Sequence, residues 1–351
     1  MLKGRVYNHT EEFTLESGQL LPGFQLFYTT WGTLNEDRSN VVWVCHAFTG
    51  NAFVKDWWEG LFGEGKTFDP AKHYIVCANT LGGCYGSTGP LSINPDTGKP
   101  YYHSFPTLTN LDVVRSFDAL RQHLGIEQIN VLIGGSLGGQ QALEWAIENP
   151  QVTKKLVQVA SNAWQSPWAI ALNESQRMAI EQDVTWQLAT DDAGLNGMRT
   201  ARSMALLSYR NYHAYNQSQR EHGPELKRTY KAASYQQHQG EKLAKRFNAF
   251  TYWQLTKMMD SHHVGRNRGG LEQALRQVQA ETLVIGVDTD LLFPLNEQKF
   301  VANYIPKAQL QVIHSEAGHD GFLLETAQLA HHLDTFLQNK QYRKTWIPTV
   351  F

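Results

Sequence analysis

The sequence predicts an α/β protein with a mostly parallel central sheet and a helical lid inserted between two of its strands. From residue 39 to about 160, short apolar runs alternate with helical patterns, as in a sheet covered by helices on both faces. Residues 162–280 show no strand pattern and carry apolar residues at helical spacing, and the alternation resumes at residue 281. We therefore expect a core made of residues 1–161 and 281–351, and a lid made of residues 162–280.

Each element follows from a local pattern. Apolar runs predict six buried strands, at residues 40–45, 73–78, 129–133, 155–160, 281–287 and 309–314. Helical periodicity predicts helices at residues 109–124, 138–149, from about 296, and 321–338. The second of these must end before Pro150, because a proline disfavours helical backbone in the preceding residue. The apolar segments 13–15 and 24–28 predict an antiparallel hairpin at the sheet edge.

Composition excludes several classes of function. The 351 residues include 31 basic and 33 acidic ones, a net charge of −2, without a run of five Lys or Arg, so no nucleic-acid partner is expected. No apolar stretch approaches the roughly 20 residues that a membrane span needs, and the N-terminal residues lack a signal-peptide pattern. We therefore predict no membrane partner and a cytoplasmic location.

The cysteines predict neither a disulfide framework nor a metal site. Only Cys45, Cys77 and Cys84 occur, and none forms a C-x-x-C pair. Cys45 and Cys77 fall in predicted strands, so we interpret them as core thiols rather than as redox groups. No metal site is expected.

A G-x-S-x-G motif spans Gly134 to Gly138 and places Ser136 between a β-branched strand and a helix. At such a turn a serine Oγ projects above the carboxyl ends of the strands, where open α/β sheets bind ligands. The alternative is a glycine-rich turn whose serine only caps the helix. We favour a nucleophile, because the other groups that a nucleophile needs follow in the chain.

A serine hydroxyl needs a base, and the base needs an orienting carboxylate. His319 follows the last predicted strand, and two aspartates, Asp288 and Asp290, follow the strand before it. We favour Asp290 over Asp288 because it lies further into the loop. The alternative for His319 is a loop or helix-capping histidine.

An acyl-transfer reaction also needs two backbone N–H groups that stabilise the oxyanion. One is predicted at Leu137, directly after the nucleophile. The other is predicted in the loop after the first buried strand, at Phe48 in preference to Thr49. His46 in the same loop is interpreted as structural, since His319 already supplies a base.

The sequence resembles the homoserine O-acyltransferase family, a group of α/β-hydrolase-fold enzymes, in its acetyltransferase branch. The run Leu-Gly-Gly-Cys-Tyr-Gly at residues 81–86 is the most specific match. Other matches extend along nearly the whole chain, at residues 46–50, 56–61, 65–66, 136–145, 239–240, 246–247, 265–270, 290–294 and 318–322. Departures include Gln140 where methionine is common, Phe48 where leucine is more frequent, and the pair His262 and His263.

The resemblance implies a ping-pong transfer. Ser136, Asp290 and His319 match the nucleophile, acid and base, which would move an acetyl group from acetyl-CoA to the γ-hydroxyl of L-homoserine in methionine biosynthesis. Acetyl-CoA would be a co-substrate, and no permanently bound cofactor is implied. Arg210 and Asp320 match the acceptor-binding pair; the alternatives are a solvated helix arginine and a helix N-cap.

Rival functions remain open at this point. They are succinyl transfer to homoserine or serine, hydrolysis by an esterase or thioesterase with the same triad, and a non-catalytic binding protein. A transferase must keep water from its acyl-enzyme, and the inserted helices are the expected device. Their aromatic, glutamine-rich surface further predicts a homodimer.

Overall fold

The computed structural model describes residues 3–338, and its centre is an eight-stranded sheet with the strand order β1-β4-β6-β5-β9-β10-β11-β12. The strands β6, β5 and β9 to β12 run parallel, and β1 and β4 add an antiparallel edge. This confirms the predicted fold class and all six predicted strands, although the last one, at the sheet edge, is only partly buried. In chain order the strands are β1 (Lys3–His9), β2 (Phe13–Thr14), β3 (Leu20–Leu21), β4 (Phe24–Trp31), β5 (Val41–Cys45), β6 (Tyr74–Ala78), β7 (Ile93–Asn94), β8 (Lys99–Pro100), β9 (Ile129–Gly135), β10 (Thr153–Val159), β11 (Glu281–Val287) and β12 (Ala308–Ile313).

Helices flank both faces of this sheet. The predicted helices are present, although the last one is divided at Glu325 and is preceded by a 3-10 turn, Gly318–Asp320. The helices are α1 (Val54–Trp57), α2 (Asn110–His123), α3 (Leu137–Glu148), α4 (Pro167–Glu181), α5 (Leu195–Tyr209), α6 (Tyr212–Gln219), α7 (Lys231–Ala244), α8 (Ala249–Asp260), α9 (Leu271–Leu275), α10 (Leu295–Tyr304), α11 (Gly321–Leu324) and α12 (Thr326–Leu337).

Residue chemistry sets the helix ends. Thr109 and Asp112 form a capping box at the start of α2, in which each side chain accepts a hydrogen bond from the other residue's backbone N–H. Ser166 caps α4, whose first residue is Pro167, a position where the missing proline N–H costs nothing. These local signals fix where the helices begin.

The core lies in two layers, one on each face of the sheet. Alternation along β5 places Trp43 on one face, where its ring packs edge-on against that of Trp145 of α3, with the ring centroids 5.0 Å apart. Val42 and Val44 point to the other face, into the cluster that contains Leu333 of α12. The sheet is therefore covered on both sides, as parallel sheets require.

The predicted N-terminal hairpin is wrong in its pairing. Residues 24–28 form part of β4, which pairs with β1 and β6, whereas β2 pairs with β3. A tight turn at Gly18 folds the chain back within a few residues, so β2 pairs with the nearby β3 and not with β4. The seven-residue β1 then pairs with β4 along its whole length. Its polar sequence gave no apolar alternation that would have predicted a strand.

Six helices, α4 to α9, lie between β10 and β11, and the described residues of this segment contain no strand. Helix α5 packs against α4 and α7, and α8 packs against α4. Helix α5 also contacts the 3-10 turn that carries His319. The segment therefore packs over the carboxyl ends of the strands, where the predicted site residues lie.

Candidate active site

Ser136 stands in a sharp turn between β9 and α3, in a backbone conformation that favours glycine. Its φ is 56° and its ψ is −126°, and such a conformation costs on the order of 1–3 kcal/mol unless the surroundings impose it. The surroundings do so: the Ser136 N–H donates to the Val159 carbonyl at 2.9 Å, and the Ser161 hydroxyl donates to the Ser136 carbonyl at 2.8 Å. The turn exposes only 7% of the residue.

The two outer glycines of the motif are required by close backbone approach. A Cβ on Gly134 would lie 2.1 Å from the Gly138 carbonyl oxygen, and one on Gly138 would lie 2.1 Å from the carbonyl oxygen of Cys45. Both distances are far below contact. The glycines therefore let α3 start directly against β9 and β5, which fixes where Ser136 points.

The predicted nucleophile, base and acid meet in a continuous line. Ser136 Oγ lies 2.9 Å from His319 Nε2, and His319 Nδ1 lies 2.7 Å from Asp290 Oδ2. Because a carboxylate only accepts, His319 Nδ1 carries the proton and Nε2 accepts from the serine hydroxyl. The backbone N–H groups of Leu292 and Phe293 donate to Asp290 Oδ1 at 2.8 and 2.9 Å.

Asp288, the competing aspartate, faces away from this line. Its Oδ2 lies 2.9 Å from Nδ1 of His314, and its Oδ1 accepts from the Ser315 N–H at 3.1 Å. Asp288 thus ties the ends of β11 and β12 together. Of the two aspartates that the sequence left open, Asp290 is the one beside His319.

His319 is a buried imidazole with a raised pKa. Burial lowers the pKa of His319. The charge and hydrogen bond of Asp290, together with the charge of Asp320, raise it by more than burial lowers it, so the pKa lies above the ordinary value. Only 3% of the residue is exposed. The ring also packs against Phe293, at 5.3 Å between centroids, and Phe322, at 5.4 Å. The environment therefore favours an imidazole that accepts a proton readily.

A cavity of about 230 Å³ opens onto Ser136 and His319. It joins residues of the loop after β5, of the insertion and of the 3-10 turn before α11. A single anion, Asp320, and two cations, Arg202 and Arg246, line it. The remaining lining residues are mostly apolar or aromatic: Ala47, Phe48, Thr49, Gly50, Trp57, Tyr209, Phe322 and Leu323.

The predicted oxyanion donors flank Ser136. Phe48 lines the cavity, and Leu137 is the first residue of α3. Within residues 3–338, neither backbone N–H donates a hydrogen bond to another residue. Next to Phe48, the His46 ring bonds the Ala47 carbonyl through Nδ1 and accepts from the Thr80 N–H through Nε2 at 3.0 Å. His46 thereby fixes the shape of the loop that presents Phe48.

Arg210 and Asp320, the predicted acceptor-binding pair, bind each other. The Arg210 guanidinium donates to Asp320 Oδ2, and a second nitrogen lies 3.3 Å from the Tyr235 hydroxyl. Asp320 lines the cavity, whereas Arg210 is not among the described lining residues. Both side chains are partly exposed, at 25% and 20%.

Sequence reasoning missed the two arginines that line the cavity. Arg246 precedes α8, and its guanidinium donates to the Thr49 carbonyl at 2.8 Å and to the Tyr85 hydroxyl. Arg202 lies over the ring of Tyr209, 5.4 Å from its centroid. A seven-residue spacing puts Arg202 and Tyr209 on the same face of α5, and that spacing was the available signal.

Gln298 in α10 connects the surroundings of the Ser136 turn to the loop of Asp290. Its Nε2 donates to the Ser161 carbonyl at 2.6 Å and to the Phe293 carbonyl at 3.2 Å, and the side chain is fully buried. Ser161 in turn holds the Ser136 carbonyl, and Phe293 belongs to the loop of Asp290. One amide group therefore links the serine turn to the acid loop.

Beside it lies a second buried group of polar side chains, which we call the amide network: Asn110, Gln140, Asn162, Gln165 and His262. Gln140 Nε2 donates to Asn162 Oδ1 at 2.9 Å and to Gln165 Oε1 at 3.0 Å. Asn110 Nδ2 lies 3.1 Å from His262 Nδ1. Gln140 is fully buried in this network and is absent from the described lining of the catalytic cavity.

Glu297 bonds the amide network and lies close enough to Asp290 to feel its charge. Asn162 Nδ2 donates to Glu297 Oε2 at 2.9 Å. Burial raises the pKa of Glu297 to about 7, with a further contribution from the charge of Asp290 and a partial offset from the hydrogen bond of Asn162. At neutral pH this carboxyl is therefore protonated in a large fraction of molecules.

The described residues contain neither a metal-binding cluster nor a helix that could span a membrane. No group of three or more His, Cys, Asp or Glu side chains within residues 3–338 is arranged to hold a metal ion. In the same range, no helix has the length and apolar character that crossing a membrane requires.

Known proteins share this fold and much of this sequence. A family model described as the alpha/beta hydrolase fold matches residues 40–326. The chain is 51% identical over 326 residues to a protein of Cyclobacterium marinum named homoserine O-acetyltransferase, and the match covers 93% of each chain. The crystal structure of a homoserine O-acetyltransferase from Bacillus anthracis matches with a TM-score of 0.90 and 25% identity, over 98% of this chain and all of that one.

An acetylester hydrolase from Corynebacterium glutamicum also matches, with a TM-score of 0.85 and 25% identity over 96% of each chain. The fold is therefore shared by proteins named as transferases and as hydrolases. The family model and the 51% identical relative both cover most of the chain, which confirms the resemblance found in the sequence. The chain is thus an enzyme of the α/β-hydrolase fold and belongs to the homoserine O-acetyltransferase family.

Proposed function

We propose that this enzyme transfers an acetyl group from acetyl-CoA to the γ-hydroxyl of L-homoserine through an acyl-enzyme on Ser136, a step of methionine biosynthesis. The observation that carries the proposal is the line from Ser136 Oγ through His319 to Asp290, with separations of 2.9 and 2.7 Å, at a cavity. The relatives named homoserine O-acetyltransferase support the choice of donor and acceptor.

In the first half-reaction, His319 Nε2 takes the proton of Ser136 Oγ as the oxygen attacks the thioester carbonyl. The N–H groups of Phe48 and Leu137 would stabilise the oxyanion. The C–S bond then breaks, and the leaving thiolate takes the proton from His319 to give free CoA. Asp290 keeps the imidazole oriented and stabilises its charged form.

In the second half-reaction, His319 takes the proton of the homoserine hydroxyl, whose oxygen attacks the acetyl carbonyl on Ser136. The ester bond to Ser136 breaks, Oγ recovers the proton from His319, and O-acetyl-L-homoserine leaves. Asp320 is proposed to receive the ammonium group of the acceptor, and Arg210 to lie near its carboxylate.

The insertion, residues 162–280, is proposed to act as a lid on a core of residues 1–161 and 281–351, of which 1–2 and 339–351 lie outside the described residues. Its role would be to exclude water from the acyl-enzyme. Large apolar side chains remain exposed on the insertion, for example Trp168 at 56% and Val184 at 95%. They support a homodimer formed through this face, and a monomeric mass in light scattering would refute it.

Hydrolysis is the second candidate function, favoured by the match to an acetylester hydrolase. Succinyl transfer, to homoserine or serine, is an alternative in the choice of substrate. The decisive measurement is thiol release from acetyl-CoA and from succinyl-CoA, each with and without L-homoserine or L-serine. Thiol release that requires homoserine supports transfer, and equal release without an acceptor supports hydrolysis.

The Ser136→Ala variant tests the covalent step. We expect acetyl transfer to fall by about ten-thousand-fold or more, because no residue replaces the nucleophile. Mass spectrometry of the wild-type peptide that contains Ser136 should show an added acetyl group after mixing with acetyl-CoA alone. Full activity of the variant, or acetylation at another residue, would refute the mechanism.

A further inference from the structure

The loop after β5, residues 46–50, which we call the oxyanion loop, is fastened to the insertion by one side chain. Arg246 lies between α7 and α8, and its Nη1 donates to the Thr49 carbonyl at 2.8 Å and to the Tyr85 hydroxyl. Arg246 and Thr49 both line the catalytic cavity. A residue of the insertion therefore holds a backbone group of the core beside the proposed nucleophile.

The Thr49 carbonyl is connected to the predicted oxyanion donor through two peptide groups. Its own peptide group carries the Gly50 N–H, which donates to the Ala47 carbonyl at 2.8 Å. The peptide group of the Ala47 carbonyl carries the Phe48 N–H. Because a peptide group is planar and trans, its C=O and N–H point in opposite directions. The groups that hold these two carbonyls therefore set the direction of the Phe48 N–H.

Arg246 also polarises this chain of hydrogen bonds. A guanidinium is permanently charged, and hydrogen bonds in series strengthen one another by roughly 10–30% per bond. Electron density drawn to the Thr49 oxygen makes each following N–H a stronger donor, and the last of them belongs to Phe48. His46 Nδ1 bonds the Ala47 carbonyl at 2.8 Å, but burial lowers the pKa of His46 to about 4, so that ring is neutral. The positive charge on the chain comes from Arg246.

A second contact holds the oxyanion loop against the same segment of the insertion. The ring of Phe48 packs edge-on against Tyr252, at 4.8 Å between centroids, and against Phe247, at 6.2 Å. Both partners are buried. The loop is thus attached at a side chain and at the Thr49 carbonyl, and the aromatic contact remains when Arg246 is replaced.

We propose that Arg246 is a positioning residue for the oxyanion, and that it acts on the Phe48 N–H through the two peptide groups of the oxyanion loop. The inference rests on the proposed acyl transfer. Tyr85 holds the guanidinium at the Thr49 carbonyl. In this role the insertion covers the acyl-enzyme and also sets the strength of an oxyanion donor that belongs to the core.

The first test compares the steady-state kinetics of Arg246→Gln and Arg246→Lys. The control is Arg266→Gln, an exposed arginine of the insertion that donates to the Ser261 carbonyl and is absent from the described lining of the catalytic cavity. We expect Arg246→Gln to lower kcat by about tenfold with both KM values within about threefold, because the oxyanion exists only after attack on the carbonyl. Arg246→Lys keeps a charge and a donor and should recover part of the loss, and the control should stay within about twofold of wild type.

The second test isolates the oxyanion with an acetyl-CoA analogue that carries a trifluoromethyl ketone in place of the thioester. Ser136 Oγ adds to the ketone carbon, its proton passes to His319, and the ketone oxygen becomes an anion that stays bound. We expect Arg246→Gln to weaken binding of this analogue by about tenfold and binding of CoA, which forms no adduct, by less than about threefold. Calorimetry measures both affinities.

Tyr85→Phe tests the same chain from its outer end and keeps the proposal testable if Arg246→Gln does not fold. It removes only the hydroxyl that accepts from Arg246. We expect the affinity for the trifluoromethyl ketone to fall by about threefold and the affinity for CoA to stay unchanged. In the Tyr85→Phe background, Arg246→Gln should cost less than in the wild type, because both changes act on one guanidinium.

Two results would overturn the proposal. One is equal weakening of the ketone analogue and of CoA by Arg246→Gln, which would make Arg246 a direct ligand of the substrate. The other is an Arg246→Gln variant with the kcat and the ketone affinity of the wild type. A failure of the proposed function is a separate outcome, in which the wild-type enzyme itself transfers no acetyl group to homoserine.

Discussion

Two of the three histidines that are buried within residues 3–338, His262 and His319, have surroundings that shift their pKa values in opposite directions. His319 and His262 are each 3% exposed. The Nδ1 of His319 faces the carboxylate of Asp290, and its pKa is raised. His262 has no carboxylate partner among the described residues; its Nδ1 lies 3.1 Å from Asn110 Nδ2, and its Nε2 lies 3.3 Å from the Asn162 carbonyl. Burial lowers the pKa of His262 to about 3.

In this comparison, burial and the nearby cations Arg266 and Arg268 lower the affinity of His262 for a proton, whereas the carboxylate of Asp290 raises that of His319. His262 is therefore fixed as a neutral imidazole and serves the packing of the amide network. His319, with its raised pKa, accepts a proton more readily than an ordinary histidine does. The same residue type at the same burial is a structural group in one place and the proposed base in the other.

The two histidines also differ in whether the charged side chains near them are paired. His262 borders a polar cavity of about 390 Å³ whose ions pair with each other, such as Arg268 with Glu144 at 2.6 Å and Arg115 with Glu148 at 2.8 Å. The catalytic cavity contains Arg202, which has no such partner in the described range. The ions of the polar cavity therefore neutralise one another, whereas the charge of Arg202 has no counter-charge among the described residues.

The largest effect should follow from Asp290→Asn, which makes the surroundings of His319 resemble those of His262. We expect kcat to fall by about ten-thousand-fold, because the amide that replaces the carboxylate neither fixes the imidazole tautomer nor stabilises the charged form of the imidazole. In the wild type, kcat/KM should rise with pH through the raised pKa of His319, above 6.5, because the base must be neutral. In the variant this limb should move to lower pH. Rates measured from pH 5 to pH 9 check both points.

Asp288→Asn is the matched control, two residues away. Asp288 bonds His314 and Ser315 rather than His319. We therefore expect kcat of the variant to change less than fivefold, and the pH at which kcat/KM rises to shift by less than half a unit. If Asp288→Asn abolished activity and Asp290→Asn did not, the assignment of the two aspartates would be reversed.

Sequence patterns predicted the sheet because parallel strands are buried on both faces and appear as continuous apolar runs. They also predicted the serine, base and acid, because these follow strand ends in a fixed chain order. The pairing of β1 was not predictable, since its residues Lys3–His9 are mostly polar and its partner is chosen by the turn at Gly18. Between Asp288 and Asp290, sequence position favoured Asp290, and only loop geometry separated the two.

Gln298→Met should have the next largest effect. Removing the amide releases the Ser161 and Phe293 carbonyls, which hold the serine turn and the acid loop at their separation. We expect kcat to fall by about tenfold with little change in KM, because a small displacement of reacting groups is costly. Steady-state kinetics with both substrates provide the measurement.

Gln140→Met provides the matched control for that variant. It removes the same kind of amide from the amide network, where Gln140 bonds Asn162 and Gln165. We expect a loss of about 1–3 kcal/mol in the free energy of unfolding, because buried acceptors lose their donor, and a kcat within threefold of wild type. Equal falls in kcat for the two variants would show that Gln298 has no special link to the catalytic loops.

The residues that sequence analysis missed share one property: their function depends on tertiary packing. Arg202, Arg246 and Gln298 are polar residues in or beside helices, with spacing that many solvated side chains also have. Arg210 was found through a resemblance, yet the structure pairs it with Asp320 and leaves Arg202 on the cavity. No local pattern states which of several arginines on one helix faces a cavity.

His262→Gln should have the smallest effect on catalysis and a measurable effect on stability. We expect kcat within twofold of wild type and an unchanged pH limb, because His319 keeps its partners. The pKa of His262 is about 3 when folded and about 6.5 when unfolded, so the unfolded chain binds a proton between these values and stability falls as pH decreases. His319 contributes with the opposite sign, since its raised pKa stabilises the fold at low pH and loses that contribution as pH rises.

Urea unfolding of wild type and His262→Gln at pH 7 and pH 5 measures the contribution of His262 to the pH dependence of the free energy of unfolding. Between these pH values the titration of His262 should cost the wild type about 2 kcal/mol, and the variant has no group there to titrate. The wild type should therefore lose more of its free energy of unfolding than the variant on going to pH 5. Equal losses would mean that His262 is protonated in the folded protein, and the contrast with His319 would then rest on hydrogen bonding alone.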